Sequence, residues 1–157
     1  MLKISLPGRG QTLELENLLL DQNGTITCDG VLLPGVSQRV KALSEKLKIY
    51  LLTADTFGSA AKIAEELEIE LFRVSPEQGG EDKRDFVQTL EPAKTAAIGN
   101  GYNDHMMLGE AALGIAVLGR EGCSTLALKR SDIVVSNIED ALDLLLNPLR
   151  IVATLRA

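Results

Sequence analysis

Short apolar runs and longer periodic stretches take turns along this chain. The runs Leu18-Leu19-Leu20, Tyr50-Leu51-Leu52 and Ala96-Ala97-Ile98 have no polar face, which predicts strands buried on both sides. Between them, Val36, Val40, Leu43 and Leu47 fall on one helical stripe, and Ala60, Ile63, Ala64 and Leu67 on another. The full pattern predicts strands over 18–21, 49–53, 70–74, 95–99, 113–117 and 132–135. It predicts helices over 36–47, from an N-cap at Thr56 through Leu67, and over 82–90, 103–110, 124–130 and 138–146. Gln78-Gly79-Gly80 reads as a loop. Asn147-Pro148 breaks the last helix, and an apolar helical pattern resumes over 149–155.

Two stretches read as antiparallel hairpins instead. Residues 3–6 and 11–15 flank Pro7-Gly8-Arg9-Gly10 at the N-terminus. Residues 26–28 and 31–33 flank Asp29-Gly30, a strong signal for a two-residue hairpin turn. Strands alternate with helices elsewhere, which predicts an α/β fold: a mainly parallel sheet with helices on both faces. No repeat, low-complexity tract or linker divides the sequence, so residues 1–157 are read as a single domain.

Composition narrows this further. A chain of 157 residues that is 45% hydrophobic can bury a full-sized core, and with 3% aromatics and no Trp that core is aliphatic. A net charge of −6 argues against nucleic acid and anionic membranes as partners. No apolar run approaches the about 20 residues that span a bilayer. Met1–Pro7 does not read as a signal peptide, so no membrane insertion and a cytoplasmic location are expected. Cys28 and Cys123 form no CxxC pattern and are read as free thiols. The single His105 makes no metal cluster by itself.

The candidate chemistry starts at Asp21. It ends an apolar strand and opens Gln22-Asn23-Gly24-Thr25, and open parallel sheets bind ligands at the carboxyl ends of their strands. A carboxylate there needs a partner, water or a cation; a turn-capping Asp is the plainer alternative. Leu51-Leu52-Thr53-Ala54-Asp55 is a second strand ending in a hydroxyl, and Lys83 opens a helical pattern. Ala96–Asp104 is a third strand that runs into a Gly-rich acidic loop. Phosphoryl transfer needs an in-line nucleophile and neutralisation of the phosphoryl oxygens, and this set offers both.

These segments, DQNGT at 21–25, TAD at 53–55, Lys83 and GNGYND at 99–104, resemble in order the motifs of the haloacid dehalogenase superfamily of phosphatases and phosphotransferases. They are most similar to the phosphorylation domain of P-type ATPases, with its DKTGT, TGD, Lys and GDGxND. The chain therefore looks like a soluble, P-type-ATPase-like member. The resemblance implies a three-layer Rossmann-like fold, capless, with a small flap hairpin, and a phosphohydrolase that works through a phospho-aspartate. It implies Asp21 as nucleophile and Asn23, Thr53 and Lys83 as the rest of the catalytic set. Gly24, Thr53, Ala54 and Lys83 would hold the phosphate with Asp21. Asp21, Asn23, Asn100 and Asp104 would hold Mg²⁺, and Asn103 would support the loop by hydrogen bonds.

The connections after the first motif and after the second strand–helix unit are too short for a cap domain. The site is therefore expected to be open, admitting a phosphorylated small molecule or macromolecule. The chain also lacks room for the pumps' nucleotide-binding domain, which argues against ATP as substrate. An open mouth, the hairpin edge and the apolar 149–155 tail lead us to expect a homo-oligomer, with docking of the tail on its own domain as the alternative. Two residues depart from the motifs. Asn23 stands where many of these phosphatases carry an Asp acid/base, a loss that typically slows catalysis about 10²–10⁴-fold. Asn100 stands where the first Asp of GDGxND ligates the metal. Turnover is therefore expected to be slow. The alternative is a weakly active or inactive phosphate- and Mg²⁺-binding scaffold or regulatory protein, partnering a membrane P-type ATPase.

Overall fold

The computed structural model describes residues 1–55 and 58–157, so the N-cap expected at Thr56 lies outside the described residues. The chain begins with an antiparallel hairpin, β1 (Leu2–Leu6) and β2 (Gln11–Leu15). It enters the sheet at β3 (Asn17–Asp21), then makes the flap, β4 (Thr27–Cys28) and β5 (Val31–Leu32). Asp29 and Gly30 at the flap tip have φ of 51° and 78°, the double positive φ that the Asp-Gly pair predicts. There follow α1 (Val36–Ser44), β6 (Lys48–Thr53), α2 (Ser59–Leu67), β7 (Glu70–Arg73) and α3 (Gly79–Thr89). The second half holds β8 (Thr95–Gly99), α4 (His105–Glu110), β9 (Leu113–Val117), α5 (Thr125–Arg130), β10 (Ile133–Val135), α6 (Ile138–Leu146) and α7 (Pro148–Leu155).

Among the described residues, six strands form a parallel sheet in the order β10-β9-β8-β3-β6-β7. Strand side chains alternate between two cores, as the pleat requires. Leu18, Leu20, Leu51 and Ile98 face the core that takes in α1, α2 and α6. Leu19, Tyr50, Leu52 and Ala97 face the one under α3, α4 and α5. All of these are buried, which is why the strands read as unbroken apolar runs. The second core holds an aromatic trio: Phe86 of α3 stacks on Phe72 at 4.2 Å and meets Tyr50 edge-on at 5.2 Å. The chain winds outward from β3 to β6 and β7, then returns to lay β8 on the other side of β3. That reversal opens a crevice at the carboxyl ends of β3 and β8.

Three elements differ from the sequence reading. Gly79 and Gly80 open α3 instead of forming a loop. The helix passes beside the acidic loop, where a Cβ on Gly80 would make an ordinary contact of 3.5 Å with the Asn103 carbonyl oxygen. The helix α1 stops at Ser44, where the Ser44 hydroxyl bonds back to the Val40 carbonyl. Residues Tyr102–Asp104 form a 3₁₀ turn ahead of α4.

The tail follows the intramolecular alternative. Pro148, tolerated in a first helical turn, starts α7. Ile151 is buried in the core with Leu2, Ile4 and Leu6 of the hairpin. Arg9 donates to the Leu155 carbonyl at 3.2 Å, and the Ala157 N–H to that of Pro7 at 3.1 Å. The apolar face of the tail is thus covered by its own hairpin. No described helix is long and apolar enough to cross a membrane.

Candidate active site

At the crevice the sheet register puts the sequence motifs side by side. Asp21 pairs with Leu52, so Thr53 lies one step beyond it on the next strand. Leu20 pairs with Ile98, so the Gly99–Asp104 loop leaves the sheet beside Asp21. From the side, α3 delivers Lys83. Asp21, Asn23, Thr53, Ala54, Lys83, Asn100 and Asn103 all line one cleft of about 660 Å³.

Lys83 is wholly buried, and its Nζ lies 2.7 Å from Asp21 Oδ1 and 2.7 Å from Asp104 Oδ1. Two carboxylates share one ammonium, so the cluster keeps a net negative charge in a dry place. Burial raises the Asp21 pKa and the Asp104 charge raises it further, while Lys83 and the Thr25 hydroxyl pull it back; it comes to about 6. Burial alone would neutralise Lys83, but the charges of Asp21 and Asp104 outweigh it and hold the lysine above its ordinary range.

The site needs its glycines for two different reasons. Gly24 turns the chain after Asp21 with φ of 76°, and a Cβ there would run into the Asn100 amide. A Cβ on Gly99 would lie 2.6 Å from Asp104 Oδ2, so glycine lets that carboxylate tuck under the strand end. The Thr53 hydroxyl, 2% exposed, accepts from the Asp55 N–H at 3.1 Å, which leaves its own proton to donate. Asp55 in turn accepts from the Ser59 hydroxyl and the Ala60 N–H, fixing the loop after β6 to the start of α2.

The structure divides the acidic loop differently from the sequence expectation. Hydrogen-bond support comes from Asp104 rather than Asn103. Asp104 Oδ2 accepts from the N–H groups of Asn100 at 3.0 Å and Gly101 at 2.8 Å, while Oδ1 holds Lys83. With both oxygens engaged and no exposure, Asp104 sits behind Lys83 and does not line the cleft, where a metal ligand would have to be. The Asn103 side chain faces the cleft beside Gly79 and Gly101. The phase of the 3₁₀ turn decides which of the two neighbours points inward.

Further oxygen-bearing groups line the same cleft. The Asn100 amide nitrogen donates to the Gly122 carbonyl at 3.0 Å, which turns its Oδ1 toward Thr25. The Thr25 hydroxyl is 3.0 Å from Asn100 Oδ1 and 3.0 Å from Asp21 Oδ2, yet has one proton for two acceptors. The Asn23 carbonyl accepts no hydrogen bond among the described residues. Carboxylate, amide and carbonyl oxygens suit a hard cation such as Mg²⁺, which keeps several waters. The set carries little charge: among the described residues no three His, Cys, Asp or Glu side chains are placed to hold a metal ion together.

Two residues of the site went unassigned in the sequence. Thr25 lies within the first motif, but only the fold shows its hydroxyl bridging Asp21 and Asn100. Glu121 lines the cleft from the loop after β9 and accepts from the Asp29 N–H at 3.2 Å, joining that loop to the flap. Its one signal in the sequence is its place just beyond the carboxyl end of a strand.

No family model matches the chain. It is 45% identical over 91 residues to the uncharacterised protein MJ0073 of Methanocaldococcus jannaschii, covering 54% of this chain and 98% of that one. It is 27% identical over 140 residues to a soluble P-type ATPase-like phosphatase of the same organism, covering 87% of this chain and 51% of that protein, so it spans about half that relative's length. A crystal structure of 3-deoxy-D-manno-octulosonate 8-phosphate phosphatase from Moraxella catarrhalis, in complex with magnesium, phosphate and the sugar acid, superposes with a TM-score of 0.69. The sequences are 17% identical over 88% of this chain and 90% of that one, a likeness of fold.

Proposed function

We propose, for a chain that belongs to the haloacid dehalogenase superfamily, that it is a capless, Mg²⁺-dependent phosphatase or phosphotransferase in which Asp21 is the nucleophile. The observation that carries this reading is Asp21 itself: a strand-end carboxylate, buried, held by Lys83 and facing a cleft that also presents Thr53. Asp21 attacks the phosphorus of a phosphate ester or anhydride, and the bond to the leaving group breaks with its electrons going to that group. Lys83, the Thr53 hydroxyl and the Ala54 N–H offset the charge on the phosphoryl oxygens. Mg²⁺, held by Asp21, the Asn23 carbonyl and Asn100, would add its charge there. Asp104 keeps Lys83 aimed.

Asn23 has no proton to give a departing alkoxide and takes none from water. The reading therefore favours substrates whose leaving group departs as a stable anion, as acyl and aryl phosphates do, and a phosphoenzyme that turns over slowly. Beryllofluoride with Mg²⁺ tests the nucleophile directly. A crystal soaked in both should show the mimic on the Asp21 carboxylate, and a fully occupied soak with nothing at Asp21 counts against the whole scheme.

A second expectation follows from Asn23. Asn23→Asp should raise steady-state hydrolysis of an alkyl phosphate by about 10²-fold. An unchanged rate in a folded variant would put the slow step elsewhere.

A further inference from the structure

The proposed reaction leaves its second half without a base. Phospho-Asp21 must be attacked by water, and Asn23 cannot accept the proton that water loses. The described residues bring five carboxylates to this region. Asp21 is the nucleophile, Asp104 is spent on Lys83 and two N–H groups, and Asp55 is spent on Ser59 and Ala60. Asp29, at the flap tip, is exposed as Glu121 is, but no hydrogen bond or ion pair fixes its side chain among the described residues. Glu121 differs from all four. It reaches the cleft from the loop after β9 and is held in place by the Asp29 N–H. It also lies against the first motif: a Cβ on Gly24 would be 3.1 Å from the Cβ of Glu121.

We infer that Glu121 is the general base of dephosphorylation, taking by topology the task that the motif position has lost. The inference rests on phospho-Asp21 being formed. Water attacks phosphorus as the bond from phosphorus to Asp21 Oδ breaks, and that electron pair returns to the carboxylate. The proton of the attacking water passes to Glu121 and from there to solvent, and inorganic phosphate leaves. The tether to Asp29 gives the flap a part in this step, because it fixes the Glu121 carboxylate at the flap tip.

Acid-quenched intact-mass measurement after mixing the protein with acetyl phosphate and Mg²⁺ separates formation of phospho-Asp21 from its decay. Glu121→Gln keeps an oxygen for the Asp29 N–H, so the flap stays tethered and only the base is lost. The variant should form phospho-Asp21 at the wild-type rate and lose it roughly 10²-fold more slowly. The fall of the wild-type decay rate toward acid pH should flatten in the variant. Adding Asn23→Asp to Glu121→Gln should bring decay back to at least the wild-type rate, which a purely structural role for Glu121 would not allow. Decay of Glu121→Gln at the wild-type rate, with an unaltered pH profile, overturns the inference while leaving the nucleophile in place. A wild-type protein that never acquires the phosphoryl group overturns the reaction beneath it.

Discussion

Replacing Lys83 by methionine is expected to destabilise the metal-free protein by about 3–5 kcal/mol at neutral pH, the size typical of breaking a buried ion pair from one side. The stem of the side chain survives, so little packing is lost. What remains is Asp21 and Asp104 with no cation between them. One must then take up a proton on folding, which raises its pKa in the folded state above the unfolded value. Stability gained that way is fully present below the unfolded carboxylate pKa and is lost as pH rises through the folded one. The variant should therefore be nearly as stable as wild type near pH 4 and well below it at pH 7.5, with a melting temperature lower by about 10 °C or more. Mg²⁺ should recover part of the loss. Urea melts in chelator at the two pH values decide the matter. Equal stability at pH 7.5 would mean that Lys83 does not neutralise the pair.

Asp21→Asn should move activity and stability in opposite directions. On the proposed role of Asp21, formation of a phosphoenzyme should fall below detection, a loss of at least about 10³-fold. The metal-free variant should nevertheless be more stable than wild type above pH 6. Asp21 titrates at about 6 in the fold against an ordinary 3.8, because burial and Asp104 disfavour its charge. The wild-type protein therefore loses stability as pH rises from about 4 through about 6, and the variant escapes that loss. Two pH units correspond to about 3 kcal/mol, an upper figure for the gain. Comparing chemical denaturation of the two proteins at pH 4 and pH 7.5 measures it. A variant that is less stable than wild type at both would contradict the charge account. A proposed nucleophile whose charge weakens the fold holding it would be a familiar compromise between function and stability.

Much of this is legible in the sequence, for reasons specific to each part. Leu18–Leu20 and Ala96–Ile98 have no polar face, and only a strand covered on both sides asks for that. Asp21 and Thr53 stood out because each ends such a run with a polar group, and strand ends are where a parallel sheet meets solvent. Lys83 was found by its place among the motifs, but its double role was not, since nothing local says that Asp104 lies behind it. Gly79-Gly80 reads as a loop because paired glycines usually mark a turn, whereas here they open α3. The swap between Asn103 and Asp104 hangs on the phase of a short 3₁₀ turn, which periodicity does not fix. Glu121 was invisible for a different reason. Its place in the cleft depends on how the loop after β9 lies over the Gly24 turn and meets the flap, contacts that join residues far apart in the chain. The tail shows the same limit: an apolar stripe declares that something covers it and does not say what.

The aromatic trio under α3 makes this helix observable. Phe86 stands one turn beyond Lys83 on α3, so the seat that Phe72 and Tyr50 form for its ring also sets the rotation that aims the lysine at Asp21. The chain has no Trp and two tyrosines, so its near-ultraviolet emission comes from Tyr50, buried beside Phe86, and Tyr102, 69% exposed on the acidic loop. Exchanging Tyr102 for Phe would leave one tyrosine in the molecule, against the helix that carries the charge. The seating of Lys83 would then be readable optically, without a label.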